Sequence, residues 1–221
     1  PLRFSSTENV AWSVEVGDGI GCPVVAGGRV FTSAMRDDET VVLSCFDASN
    51  GSLLWERTMA TGPLAEVHAT NSHASTTPAA DAERVYFYFS TLGLMAFDAR
   101  TGDKVWHAEL PVPYFVFKWG AGMSPVLLDD KVIFCQDDDL NPAMYAFDKQ
   151  TGKQLWKVDR SDQAVNYTHP VVCQTEHGPE IVVGGTGKLI GYDPQTGKEL
   201  WFARTLLRNM KTTPVTHDGT V

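Results

Sequence analysis

Asp148-Lys149-Gln150-Thr151-Gly152-Lys153-Gln154-Leu155-Trp156 is the stretch that decides the fold. Its frame, D-x-x-[TN]-G-x-x-x-W, recurs as Asp47…Asn50-Gly51…Trp55, Asp98…Thr101-Gly102…Trp106 and Asp193…Thr196-Gly197…Trp201. An aromatic residue precedes each Asp: Phe46, Phe97, Phe147 and Tyr192. An apolar run entering Asp, then Thr-Gly or Asn-Gly, then an apolar run carrying Trp is a β-hairpin. The Asp carboxylate can accept from amides inside the turn, and Gly supplies the positive φ that closes it. The Trp falls on the outgoing strand. Burying one indole removes roughly 150–250 Å² from water, an upper-bound gain of about 4–6 kcal/mol. Fixed periodic placement makes Trp12, Trp55, Trp106, Trp156 and Trp201 pegs locking each unit to its neighbour, in preference to a ligand-binding row.

The spacing from Trp55 to Trp106 is 51 residues, then 50 to Trp156 and 45 to Trp201; Trp12 lies 43 before Trp55. A second marker recurs out of phase, a Pro opening an apolar run at Pro23, Pro78, Pro125, Pro170 and Pro214. Pro is tolerated where a strand begins. Another short strand lies between each Pro and its Asp, such as Arg84-Val85-Tyr86-Phe87 or Lys131-Val132-Ile133-Phe134. Each unit therefore reads as four short antiparallel strands, A to D, in 40–51 residues, which is a β-propeller blade. No stretch sustains a helical period.

The expected fold is all-β, a single incomplete propeller over 1–221. Full blades are expected at 20–60, 74–110, 121–160 and 166–205. Residues 8–16 are expected to be a lone D strand, and 210–221 a strand A with the start of a strand B. The arrangement reads as a fragment of a seven- or eight-bladed ring; the alternative is a five-bladed ring with a deficient last blade.

Composition bounds the function. The 221 residues carry 18 Lys and Arg against 27 Asp and Glu, a net charge of −9, with 43% hydrophobic and 20% charged residues. This is ordinary globular composition, and the acidic balance speaks against a nucleic-acid or anionic-membrane surface. No apolar run reaches the length of a membrane-spanning helix.

The four cysteines do not read as a site. Cys22 and Cys45 belong to strands A and C of one blade, separated by about 9–10 Å, beyond the roughly 7 Å Cα limit of a disulfide. Cys135 and Cys173 belong to different blades. Four free, mostly buried thiols are expected, with no C-x-x-C pair for zinc or haem.

The frames AFDARTGDKVW (96–106), AFDKQTGKQLW (146–156) and GYDPQTGKELW (191–201) resemble the tryptophan-docking repeats of quinoprotein-type, pyrroloquinoline-quinone (PQQ)-like propellers. Residues 9–33 resemble the opening of that family's bacterial extracytoplasmic members. The resemblance covers nearly the whole chain, is specific for fold and says little about function. It implies a periplasmic or otherwise extracytoplasmic protein, with any signal peptide outside this stretch. It allows two functions. One is a non-catalytic scaffold binding a protein or small ligand. The other is a PQQ- and Ca²⁺-dependent dehydrogenase of alcohols or sugars. The Cys-Cys pair frequent in the alcohol dehydrogenases is missing here.

In a propeller, the D-to-A connections line the mouth of the central channel. In this chain they vary where the blades otherwise agree, offering Asn71, His73, Lys118, Trp119, Tyr167, His169, Arg208 and Lys211 as funnel residues. Trp119 is the only Trp outside the frame and the best stacking surface, with Lys118 beside it as a carbonyl or carboxylate partner. The competing reading packs Trp119 against the adjacent blade and leaves the polar residues as ordinary loop. Asp137, Asp139 and Asn141 resemble half of a Ca²⁺ loop but lack its Gly and distal Glu; a solvated loop is the preferred reading. These loops hold Lys, His, Asn and Thr rather than carboxylates, which favours the scaffold over the dehydrogenase.

Overall fold

The computed structural model describes residues 3–163, 165–204 and 211–221. Sixteen strands form four antiparallel sheets, each of four strands in sequence order. The first sheet holds β1 (Val24–Ala26), β2 (Arg29–Asp37), β3 (Thr40–Asp47) and β4 (Leu53–Ala60). The second holds β5 (Ala79–Ala80), β6 (Arg84–Phe89), β7 (Gly93–Asp98) and β8 (Lys104–Ala108). The third holds β9 (Val126–Leu128), β10 (Lys131–Gln136), β11 (Ala143–Asp148) and β12 (Gln154–Asp159). The fourth holds β13 (Val171–Thr175), β14 (Gly178–Gly184), β15 (Leu189–Tyr192) and β16 (Glu199–Ala203).

The hairpin joining the third and fourth strands is built the same way four times. Asp98 Oδ1 accepts from the Arg100 and Thr101 amides at 2.9 and 2.8 Å, and Asp148 and Asp193 repeat the pattern. Gly51, Gly102, Gly152 and Gly197 have φ of 71–73°, where a side chain would strain the turn. Each of these pairs also carries a register irregularity beside the Trp, at Cys45/Phe46, Ala96/Phe97, Ala146/Phe147 and Gly191/Tyr192. The residue across from each Trp is small: Cys45, Ala96, Ala146 or Gly191.

Four indoles reach the following sheet. Nε1 of Trp12, Trp55, Trp106 and Trp156 donates at 3.0 Å to the carbonyls of Ala48, Ala99, Lys149 and Pro194. Each ring lies on the turn glycine of that next hairpin. Trp201 instead turns onto its own sheet, donating to Glu180 Oε2 at 2.6 Å, and its ring fills the space a Cβ on Gly191 would need.

The cores lie between sheets. Phe31, Leu43 and Trp55 pack with Val85, Phe87 and Phe97. Tyr86, Tyr88 and Trp106 pack with Phe134, Tyr145 and Phe147. Ile133, Cys135 and Met144 pack with Ile181, Val183 and Ile190. The first strands β1, β5 and β9 contact one another in turn, so the sheets stand side by side with their first strands inward. This is the packing of propeller blades.

Two expectations are corrected. Residues 8–16 form no strand, because each third strand already bonds its own fourth strand and offers no free edge; the segment is held by Trp12 and by an isolated Asp18–Met35 bridge. Residues 211–221 form only a His217–Thr220 bridge. Cys22 is exposed and Cys45, Cys135 and Cys173 are buried, all four as free thiols.

Candidate functional site

The connections that leave the fourth strands, together with the β10–β11 turn, hold the polar residues singled out above. The β8–β9 connection, 109–125, is largely apolar and pinned by two carboxylates of the β10–β11 turn, Asp138 and Asp139. Asp138 Oδ2 accepts from the Tyr114 amide at 2.9 Å and its Oδ1 from the Asn141 amide at 3.0 Å. Asp139 Oδ2 accepts from the Val116 amide at 2.9 Å. Asp137 takes Arg160 in a bidentate pair, Nε and Nη2 each at 2.7 Å, and its carbonyl accepts from the Val165 and Asn166 amides. Arg160 is fully buried and also bonds the Tyr192 hydroxyl. Burial outweighs the opposing Arg160 charge and pushes the Tyr192 phenol well up.

This corrects both readings of the acidic triplet. Asp137 and Asp138 are 1% and 0% exposed, so they are not a solvated loop. Their oxygens are spent on a guanidinium and on loop amides, so Asp137, Asp139 and Asn141 do not converge as calcium ligands. Among the described residues no three His, Cys, Asp or Glu side chains gather to hold a metal ion.

Trp119 is 38% exposed, but its ring already has neighbours. The His68 ring stacks with centroids 4.4 Å apart, and Lys211 Nζ stands 5.0 Å from the centroid. The Trp119 carbonyl accepts from Asn71 Nδ2 at 2.5 Å. Lys118, at φ 57°, turns to Glu66 with Nζ–Oε2 of 2.6 Å. Four of the expected residues, Asn71, Lys118, Trp119 and Lys211, therefore meet in one cluster. Sequence reasoning missed its two acceptors of contact, His68 and Glu66, because both lie in the long β4–β5 connection, where no periodicity assigns a neighbour.

Tyr167, His169 and His73 do not join this cluster. Tyr167 stacks on Phe115 at 5.3 Å and packs against the core between the second and third sheets, with its hydroxyl buried and burial raising its pKa. His169 shares a 3.0 Å hydrogen bond with Thr213, and burial lowers its pKa. Arg208 lies outside the described residues. His73 is half-buried apart from the others; burial lowers its pKa despite the opposing charges of Asp18 and Asp38.

His73 stands where two cavities meet. An open cleft of about 1220 Å³ runs over the β2–β3 turn and is lined by Asp18, Asp37, Asp38, Glu39 and Glu66. A smaller cavity of about 180 Å³ opens from the same point and is walled by Val67, Val112, Tyr114, Phe115 and Val116. Ala65, Glu66 and His73 line both.

Four-stranded sheets packed side by side through indoles define a quinoprotein-like β-propeller. The family model described as "Outer membrane protein assembly factor BamB" matches residues 4–114 and 118–220, and the chain belongs to that PQQ-repeat family. It is 27% identical to the outer membrane protein assembly factor BamB of Shewanella oneidensis over 201 residues, 87% of this chain and 47% of that protein. It is 30% identical to a 1-butanol dehydrogenase (quinone) of Thauera butanivorans over 131 residues, 53% of this chain and 20% of that protein. The chain thus spans a fifth of the one relative and about half of the other. A solved europium-containing methanol dehydrogenase shares the fold at TM-score 0.62 and 15% identity, over 89% of this chain and 44% of that one. No helix among the described residues is long and apolar enough to cross a membrane.

Proposed function

We propose that the chain is part of a non-catalytic, extracytoplasmic scaffold propeller that binds a protein partner. The observation that carries this reading is the occupation of Trp119. His68 and Lys211 already contact the ring that a quinone would need as its stacking surface. Of the carboxylates around this connection, Glu66 is paired with Lys118, and Asp138 and Asp139 are engaged by loop amides rather than free for a cation or a substrate hydroxyl. The match to the assembly factor supports the same reading, since it runs over most of this chain while the dehydrogenase match covers half. In this reading the indoles of Trp12, Trp55, Trp106 and Trp156 are docking pegs that keep the sheets in register, while Trp201, expected as a fifth, lies on its own sheet.

The test is reconstitution. The full-length protein, loaded with PQQ and Ca²⁺ and supplied with primary alcohols and an artificial electron acceptor, is expected to show no turnover above the protein-free rate. Saturable, Ca²⁺-dependent alcohol oxidation would make it a dehydrogenase.

A further inference from the structure

We infer that the joined cavities between the first and second sheets are a docking groove for an extended peptide segment of a partner protein, one carrying Lys or Arg next to a bulky apolar residue. The inference rests on the scaffold reading and adds to it the surface and the chemistry of the partner.

Charge identifies one half of the occupant. Five carboxylates line the open cleft; Glu66 is paired with Lys118, which leaves Asp18, Asp37, Asp38 and Glu39 against one guanidinium, Arg36, itself bound to Glu56 outside the cleft. His73, kept neutral by burial, adds no counter-charge. Low-dielectric walls lined with one sign of charge concentrate the opposite sign. Asp38 and Glu39 are exposed, and among the described residues none holds their carboxylates by a hydrogen bond or ion pair. Asp37 differs, since its Oδ1 accepts from the Glu39 amide and that bond lowers its pKa.

Shape and polarity identify the other half. Past His73 the lining becomes apolar, and Val112, Tyr114 and Val116 are each more than half exposed. Phe117 beside them is 67% exposed. Consecutive exposed apolar side chains of this size mark an interaction surface. The segment is held in place: the Tyr114 and Val116 amides are fixed by Asp138 and Asp139, and the Pro111 carbonyl accepts from buried Gln136 at 3.1 Å. Lys118–Glu66 ties the two walls together. A preorganised loop gives up little entropy on binding. The acidic cleft and the apolar cavity share three lining residues, so one continuous segment can place a cation in the first and a hydrophobic side chain in the second.

The experiment is fluorescence anisotropy of the full chain with a fluorescein-labelled decapeptide alternating Lys and Phe, and with versions in which Glu replaces Lys or Ser replaces Phe. The Lys/Phe peptide is expected to bind and both alternatives to bind more weakly. Asp38→Asn with Glu39→Gln removes two exposed charges and is expected to weaken binding about fivefold. Val116→Ser, whose amide bond to Asp139 survives, is expected to weaken it by a similar factor. Glu176→Gln with Asp218→Asn removes the same charge from distant exposed sites and is expected to leave affinity within about twofold. Equal weakening by the distant pair, or equal binding of the Ser peptide, would overturn the groove. No binding of any peptide would also overturn it while leaving the scaffold reading intact; that reading falls to Ca²⁺-dependent quinone binding or turnover.

Discussion

A Cβ built on Gly152 stands 2.6 Å from the Trp106 indole, at φ 72°, and one on Gly102 stands 2.6 Å from Trp55 at φ 73°. The glycine of the frame therefore has two duties, closing its own turn and receiving the Trp of the preceding sheet. Gly152→Ala should cost about 1–3 kcal/mol or more, read from urea unfolding, since backbone strain and the indole clash act together. Trp106→Ala should cost about 3–5 kcal/mol. A loss under about 1 kcal/mol would show that the indole is not a peg. The turn aspartates respond to pH. The Thr101 amide holds the Asp98 carboxyl below its usual range, as the Thr151 hydroxyl and amide hold Asp148. Because the folded pKa values are depressed, their contribution is present above the ordinary carboxylate pKa of about 4 and is lost as pH falls through the lower folded values. Asp98→Asn should therefore flatten the acid limb of a stability–pH curve. The thiols divide in the same way by position. Burial pushes Cys45 up to about 11 and raises Cys135 well above its ordinary value, so a thiol reagent at neutral pH should label Cys22 alone until the chain is unfolded.

At the scale of elements, the hairpins were legible and the connections were not. A hairpin is encoded within nine residues, so Asp, Gly and Trp spacing predicts its turn, its strands and its neighbour. The small residues opposite each Trp were also visible as Cys45, Ala96, Ala146 and Gly191, though only the structure shows that the indole demands them. The β8–β9 connection is encoded at a distance: Asp138 holds Tyr114 from 24 positions away, and Arg160 reaches Asp137 from 23. An acidic triplet in isolation reads as solvated, because nothing in its own spacing reveals a buried guanidinium. Its role is testable. Asp138→Ala should leave the Tyr114 and Asn141 amides without their acceptor, costing about 1–3 kcal/mol and speeding their hydrogen exchange while the sheet amides stay protected. Exchange unchanged at Tyr114 would mean that Asp138 does not hold the loop. Asp137→Asn breaks a buried ion pair, and a larger cost, about 3–5 kcal/mol, is expected there.

Over the whole molecule, the sequence pattern implied blades and the structure supplies how they meet: first strands inward, cores between sheets, indoles crossing to the next hairpin. The function was less legible because it lies in the loops. The pattern placed Asn71, Lys118, Trp119 and Lys211 in the connections and weighed Trp119 as a stacking surface against a packed indole; it could not show that His68, 51 residues earlier in the chain, lies against that ring. The central claim is that this propeller holds a partner and not a quinone. The most direct measurement is calorimetric titration of the intact, full-length protein with PQQ, with and without Ca²⁺. The account predicts no saturable heat in either condition from protein that remains folded. Micromolar or tighter binding that requires Ca²⁺ would contradict it.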